Sequence, residues 1–305
     1  LLIILAVALG TVNAVDMPIR QSFFSEMVPR EEVGRAVAFN SAMFNGARVI
    51  GPAIGGVLIS VIGVAGCFAV NGASFLATLL ALTLMREVEL HAAPRSARPR
   101  SVQAVKMSLI EGLRYVQRTP IVALCIFVIG VISGVAMNFN VITPPLSRVV
   151  LQIGAAGLGG LMAAVGLGSL LGALTVAALR EPRRKLIVIG GALLGVFSVA
   201  AGAAAGSGLS VAVPLTGLAL FGAGFGAISM AATANASIQT TTPAPLRGRV
   251  MSVYTTVFAG STPIGGLATG AAVSLLGASG ALALAGLLAV LAAGFATLYW
   301  RPLFR

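Results

Sequence analysis

Long apolar stretches separated by short polar connections run the length of the chain. They lie at about residues 1–24, 35–62, 66–85, 120–142, 155–179, 186–206, 208–234, 250–276 and 279–300. Each is rich in Leu, Val, Ala and Gly and has few or no charges. A membrane-crossing helix needs roughly 20 such residues, whereas a barrel strand shows only about ten, with alternating polarity. The pattern predicts an all-α, polytopic bundle of nine transmembrane helices. Composition agrees: 58% of the 305 residues are hydrophobic and 9% are charged, against about 25% charged in a soluble domain. Such a chain could not cover a surface with polar groups, and in lipid it need not.

The net charge of +12 would suit a nucleic-acid binder, but its distribution does not. The basic residues sit between apolar stretches, with no aromatic interleaving and no nucleic-acid motif. Of the 20 basic residues, 18 fall on one set of connections or at its border, among them Arg30, Arg86 to Arg118, Arg180 to Lys185, Arg247, Arg301 and Arg305. The opposite connections, at 63–66, 149–156, 206–208 and 277–280, have only Arg148 nearby. By the positive-inside rule the basic side is cytoplasmic, which puts the C-terminus inside and, with nine spans, the N-terminus outside. The first span is short before Asp16, and the expectation is that further helices precede it.

The connection at 86–119 divides three spans from six, giving segments 1–85, 86–119 and 120–305. It begins polar and then turns amphipathic: Val102, Val105, Leu109, Leu113 and Val116 recur at helical spacing, with Lys106, Arg114 and Arg118 among them. Two placements are open for this helix, on the membrane surface or packed on the bundle.

An internal repeat links the two ends. Pro29, Gly34 and Arg35 recur at the same spacing as Pro243, Gly248 and Arg249, and Gly46, Gly51 and Gly56 as Gly260, Gly265 and Gly270. Spans 1–3 then correspond to spans 7–9, and six spans after the long connection imply six before it. Paired six-helix halves built of three-helix units are a known transporter architecture.

Several segments carry a family resemblance. Asp16-Met-Pro-Ile-Arg20-Gln21, Glu26-Met-Val-Pro-Arg30, Asn40 to Asn45, Ala47-Arg48-Val-Ile-Gly51-Pro52 and Asn71-Gly-Ala-Ser74-Phe75 resemble bacterial exporters of the major facilitator superfamily, of the enterobactin-exporter and macrolide-efflux type. Arg247-Gly-Arg249-Val-Met251 fits as well. The resemblance implies helices four to twelve of a twelve-helix protein, secondary transport coupled to protons, and a drug- or siderophore-class substrate. It also implies a monomer in the bacterial inner membrane, with no cofactor.

Candidate residues follow. Gly51-Pro52-Ala-Ile-Gly55-Gly56 resembles the antiporter signature of the family's fifth helix, with Ala47 where that signature usually has glycine. Glycines let backbones approach and proline bends the helix, which would seal an exporter against leak. Arg48 lies about 13 residues into its span, roughly 20 Å deep. A charge there costs about 2.5–3.5 kcal/mol to insert, so it must face the bundle or a water-filled cavity, as a cavity residue pairing with an acid or an anionic substrate or as a fixed ion pair between helices. Asp16 and Arg20 are four apart and share a helix face; the resemblance implies that Asp16 latches the outward-facing state. Asn138 and Asn140, followed by Thr143, Pro144 and Pro145, make their span polar and breakable, as a gate or cavity wall requires. Arg247 and Arg249 mark the entry of the span that follows.

Other chemistry is not encoded. Cys67 and Cys125 lie in apolar stretches without a CxxC spacing, His91 is in a polar loop, and no metal cluster is expected. There is no Ser/His/Asp set or paired carboxylate for catalysis, and no P-loop. The expected function is small-molecule export by alternating access. A membrane-embedded enzyme, a lipid-handling protein, or a truncated chain that does not transport remains the alternative.

Overall fold

The computed structural model describes residues 65–86, 102–179 and 183–304, with isolated positions between Val12 and Gly63. The described residues belong to two compact units, and the larger holds everything from Val102 onward. α1 (Ala65–Thr83), whose residues from Phe68 onward belong to the smaller unit, is an apolar helix long enough to span a membrane. Its Ser74 hydroxyl donates to the Asn71 carbonyl and its Thr78 hydroxyl to the Ser74 carbonyl, so polar side chains of the span are satisfied within their own helix.

Every regular element described in the larger unit is helical. It opens with α2 (Val102–Arg118) and continues with the spans α3 (Pro120–Val150), α4 (Gly154–Ala177), α5 (Lys185–Gly206) and α6 (Ala212–Thr241). Then comes α7 (Ala244–Tyr299), 56 residues long. At 1.5 Å per residue, α7 would be about 80 Å long if straight, more than twice a hydrocarbon core of about 30 Å. It is not straight. Gly277 has φ 71° and ψ 171°, a region open essentially to glycine alone, and the chain reverses there. Ser261, Gly265 and Ala272 before the turn line the same cleft as Ala281, Leu284 and Leu288 after it, so the two limbs, 244–276 and 278–299, lie side by side. Among the described residues six helices are long and apolar enough to cross a membrane, and the last has length for two crossings. The expected spans at 1–24 and 35–62 lie outside the described residues.

Small residues set the packing. Gly195 of α5 and Gly286 of α7 rest on each other's backbone carbonyls, and Gly190 of α5 pairs likewise with Gly226 of α6. On α4, a Cβ at Gly168 would come within 1.9 Å of the Phe221 carbonyl oxygen. Large apolar side chains are also buried, including Leu124, Ile129, Leu194 and Leu282, yet Leu174, Leu218, Leu275 and Leu298 are exposed. Glycine at helix contacts with leucine outside is the arrangement lipid favours, because tails are as apolar as leucine and only close van der Waals fit holds helices together.

Three boundaries differ from expectation, the first being the span expected to start at 250, which begins at Ala244. The span expected at 208–234 runs on to Thr241. Its polar end is satisfied inside the helix, with Gln239 Nε2 donating to Asn235 Oδ1 and the Thr240 hydroxyl to the Ala236 carbonyl. The span expected to stop at 142 reaches Val150, because Pro144 and Pro145 are followed by a π-helical turn, Leu146–Val150, rather than by a loop.

Candidate functional site

Two places in the larger unit bring candidate residues together. The first is the break in α3. Its initial segment, Pro120–Val128, passes into a π-helical turn at Ile129–Ser133 and a short helical piece, Gly134–Ala136. The helix then opens at Met137 (φ −95°, ψ 14°) and Asn138 (φ −87°, ψ 42°) before resuming at Phe139. In an uninterrupted helix the Gly134 carbonyl would accept the backbone N–H of residue 138. Here the Asn138 side chain supplies the donor, Nδ2 lying 2.6 Å from that oxygen. An apolar residue at 138 would leave the carbonyl without this partner. Asn138 is buried at 7% exposure, so its amide belongs to the protein interior, whereas Asn140 is exposed. The two asparagines are thus separated in role: Asn138 holds the break together, and Asn140 presents a polar group outside the core.

Gly265 of α7 closes against this break. A Cβ at 265 would fall 1.8 Å from the Gly134 carbonyl oxygen and 2.8 Å from Asn138 Nδ2. The glycine that the internal repeat matches to Gly51 is therefore the point where α7 backbone meets the broken part of α3. Beside this contact lies an apolar cleft of about 380 Å³, lined by Gly130, Gly134, Ser261, Ala268, Leu284 and Leu288 among others. Its polar atoms are few, and the Ser261 hydroxyl is turned back onto the Phe258 carbonyl.

The second place is the end of the bundle that carries the basic residues. Here α2 packs on the entry of α7. Arg249 Nη1 donates to Glu111 Oε2, forming an ion pair between the two helices. Gly112 lies directly over the Arg249 backbone, where a Cβ would come within 2.9 Å of the carbonyl oxygen. The Tyr115 hydroxyl donates to the Thr241 carbonyl at 3.2 Å, and Val116 is buried. Of the two placements open to the amphipathic helix, one face of α2 takes the bundle. Arg247 is exposed, so the two arginines of the motif differ: Arg249 is tied to α2 and Arg247 points away from the core.

Glu111 was not singled out from the sequence. The signal was present, since it is the one acid between Val102 and Arg118 and it faces a helix entry rich in arginine. Both partners of the pair are 42% exposed, so its contribution to stability is small, about 0.2–1 kcal/mol. Its value is in fixing where α2 sits. Reversing either charge, Glu111→Arg or Arg249→Glu, is expected to loosen α2 and raise its cleavage by an added protease a few-fold, about what 1 kcal/mol allows, while the double reversal restores protection. Equal cleavage of single and double variants would remove the pair as the anchor.

Asp16, Arg20, Arg48, Gly51, Pro52, Gly55 and Gly56 lie outside the described residues, as does His91. Cys67 and Cys125 are free, the latter buried. No group of three or more His, Cys, Asp or Glu that could hold a metal is found among the described residues.

The transmembrane secretion effector family profile of the major facilitator superfamily matches residues 1–302. The chain belongs to this family. Relatives include an uncharacterized major facilitator transporter, YfiS, of Bacillus subtilis, 26% identical over 78% of this chain and 57% of its own length. The multidrug efflux pump Tap of Mycolicibacterium fortuitum is 29% identical over 73% of this chain and 53% of its own. The enterobactin exporter EntS of Escherichia coli is 31% identical over 84% of this chain and 57% of its own. The chain spans a little over half the length of these relatives. Membership makes it a membrane protein of a transporter family and accounts for its apolar helices. It also agrees with the exporter branch that the segments from Asp16 to Phe75 resemble.

Proposed function

We propose that the chain forms part of a secondary exporter of small molecules in a bacterial inner membrane, with the basic end of the bundle and the C-terminus in the cytoplasm. Export would proceed by alternating access between two six-helix halves, driven by inward proton movement. The observation that carries this reading is that two relatives of different substrate class, a multidrug pump and an enterobactin exporter, both move compounds outward and align with 73% and 84% of this chain. The break in α3 supports it, because irregular backbone at membrane depth persists only where protein or a water-filled cavity surrounds it.

In this reading Arg48 faces the cavity and pairs with an acid or an anionic substrate. Asp16 and Arg20 latch the cytoplasmic side, and Arg247 and Arg249 guard the equivalent entry in the other half. Gly51, Pro52, Gly55 and Gly56 seal the helix that the repeat matches to the first limb of α7. The seat of Gly265 on Gly134 offers the physical precedent: a glycine at that register lets two spans touch backbone to backbone. Asn140 lines the path, while Asn138 keeps α3 in its broken form.

The test is accumulation of a fluorescent drug in cells lacking their own major exporters, with the protein expressed from its complete reading frame. Accumulation is expected to fall on expression and to recover when a protonophore collapses the gradient. Arg48→Gln should abolish the difference at unchanged protein level. If no compound from a panel of drugs and catecholate siderophores is accumulated less on expression, the export reading is wrong.

A further inference from the structure

We propose that the outer face of α2 is a docking surface for the anionic headgroups of the membrane leaflet that adjoins the basic end of the bundle. The proposal rests on the membrane reading of the chain and not on export. With Gly112 and Val116 against the bundle, the side of the helix that carries Met107 and Ile110 is exposed. Met107 is 62% exposed, Ile110 43% and Leu113 49%, and Arg114 and Arg118 are exposed beside them. Met107, Ile110, Arg114 and Arg118 are spaced three, four and four residues apart, which places them along one stripe of the helix, with Glu111 at its edge toward α7. Neither Arg114 nor Arg118 forms an ion pair among the described residues, and Glu111, the one acid of the helix, is already engaged by Arg249.

A solvated face would not bring together exposed Met107 and Ile110, with Leu113 exposed at its flank, and a face buried on protein would not carry two uncompensated arginines. A lipid interface suits both: apolar side chains enter the acyl boundary while guanidinium groups remain at headgroup level. Position selects the occupant. Arg118 is two residues from Pro120, where the span α3 begins, so α2 lies beside the leaflet that its own bundle crosses. The ion pair and the Gly112 seat hold the helix with its inner face on α7, which fixes which side can meet that leaflet.

The test uses the full chain with Cys67→Ser and Met107→Cys, labelled with an environment-sensitive fluorophore; Cys125 is fully buried and is not expected to react. The protein is reconstituted in vesicles of phosphatidylcholine alone and of phosphatidylcholine with phosphatidylglycerol. With phosphatidylglycerol, emission is expected to shift to the blue and to be quenched by lipid-borne nitroxides rather than by aqueous iodide. Adding Arg114→Gln and Arg118→Gln should lower the ratio of docked to free label roughly 30-fold, given about 1 kcal/mol per basic residue near an anionic surface. Equal lipid quenching in both vesicles overturns headgroup recognition. Iodide access in both overturns membrane docking, and protection from both quenchers shows that another part of the protein covers the face.

Discussion

Replacing Gly265 with alanine is expected to destabilise the folded protein by about 3 kcal/mol or more, through overpacking and the loss of a buried hydrogen bond. The new methyl would lie 1.8 Å from the Gly134 carbonyl oxygen, about half a normal contact distance, and both atoms are held by backbone. Relief requires α7 to move off α3. That movement also strips the support from Asn138, whose amide shares the same oxygen. The neighbouring glycine gives the control. A Cβ at Gly266 meets nothing within 4 Å, so Gly266→Ala should change stability by no more than about 1 kcal/mol, in the direction of alanine's higher helix propensity. Gly134→Ala should be intermediate, since its nearest new contact is 3.3 Å, to Ser261 Cβ. Thermal unfolding of the reconstituted variants orders them. Equal melting of Gly265→Ala and Gly266→Ala would show that α3 and α7 are not in backbone contact.

The second large effect is expected at Gly195 and Gly286, and its informative part is a shortfall. A Cβ at Gly195 would lie 2.6 Å from the Gly286 carbonyl oxygen, and one at Gly286 would lie 2.5 Å from the Gly195 carbonyl oxygen. Each glycine is the other's seat. Either alanine alone forces α5 and the second limb of α7 apart, at about 2 kcal/mol. Once the helices have separated, the second methyl enters space already opened. The double variant should therefore cost less than the sum of the singles, by about 1 kcal/mol. A full unfolding cycle measures this. Strict additivity would mean that the two methyls are accommodated independently and that the reciprocal contact is absent.

Much of the described helical half was legible because hydropathy at span length is a strong signal. The helices Gly154–Ala177 and Lys185–Gly206 fall within two residues of the stretches read from the sequence. Where the reading stopped short, it treated polarity and proline as punctuation. Asn235 to Thr241 read as a connection because nothing in composition says that Gln239 will hydrogen-bond Asn235 inside the helix. Pro144 and Pro145 read as an end because the π-helical turn that absorbs them depends on three-dimensional packing. The site was legible only in part. Asn138 stood out as a polar residue in a span, but its role depends on Gly134, an unremarkable glycine in sequence. Arg249 stood out as a repeat residue, but its partner lies 138 positions away, and no local spacing rule reaches that far.

The chain turns at Gly154, Gly208 and Gly277 with positive φ, so each pair of spans on that side is joined by almost no extramembrane backbone. Antibody recognition and crystal growth both depend on polar surface outside the bilayer. In this half such surface is gathered at the other end, around α2 and Arg247. A conformation-specific binder raised against it will therefore land on the end where Glu111 meets Arg249, and whichever position of α2 it clasps will be the one it traps.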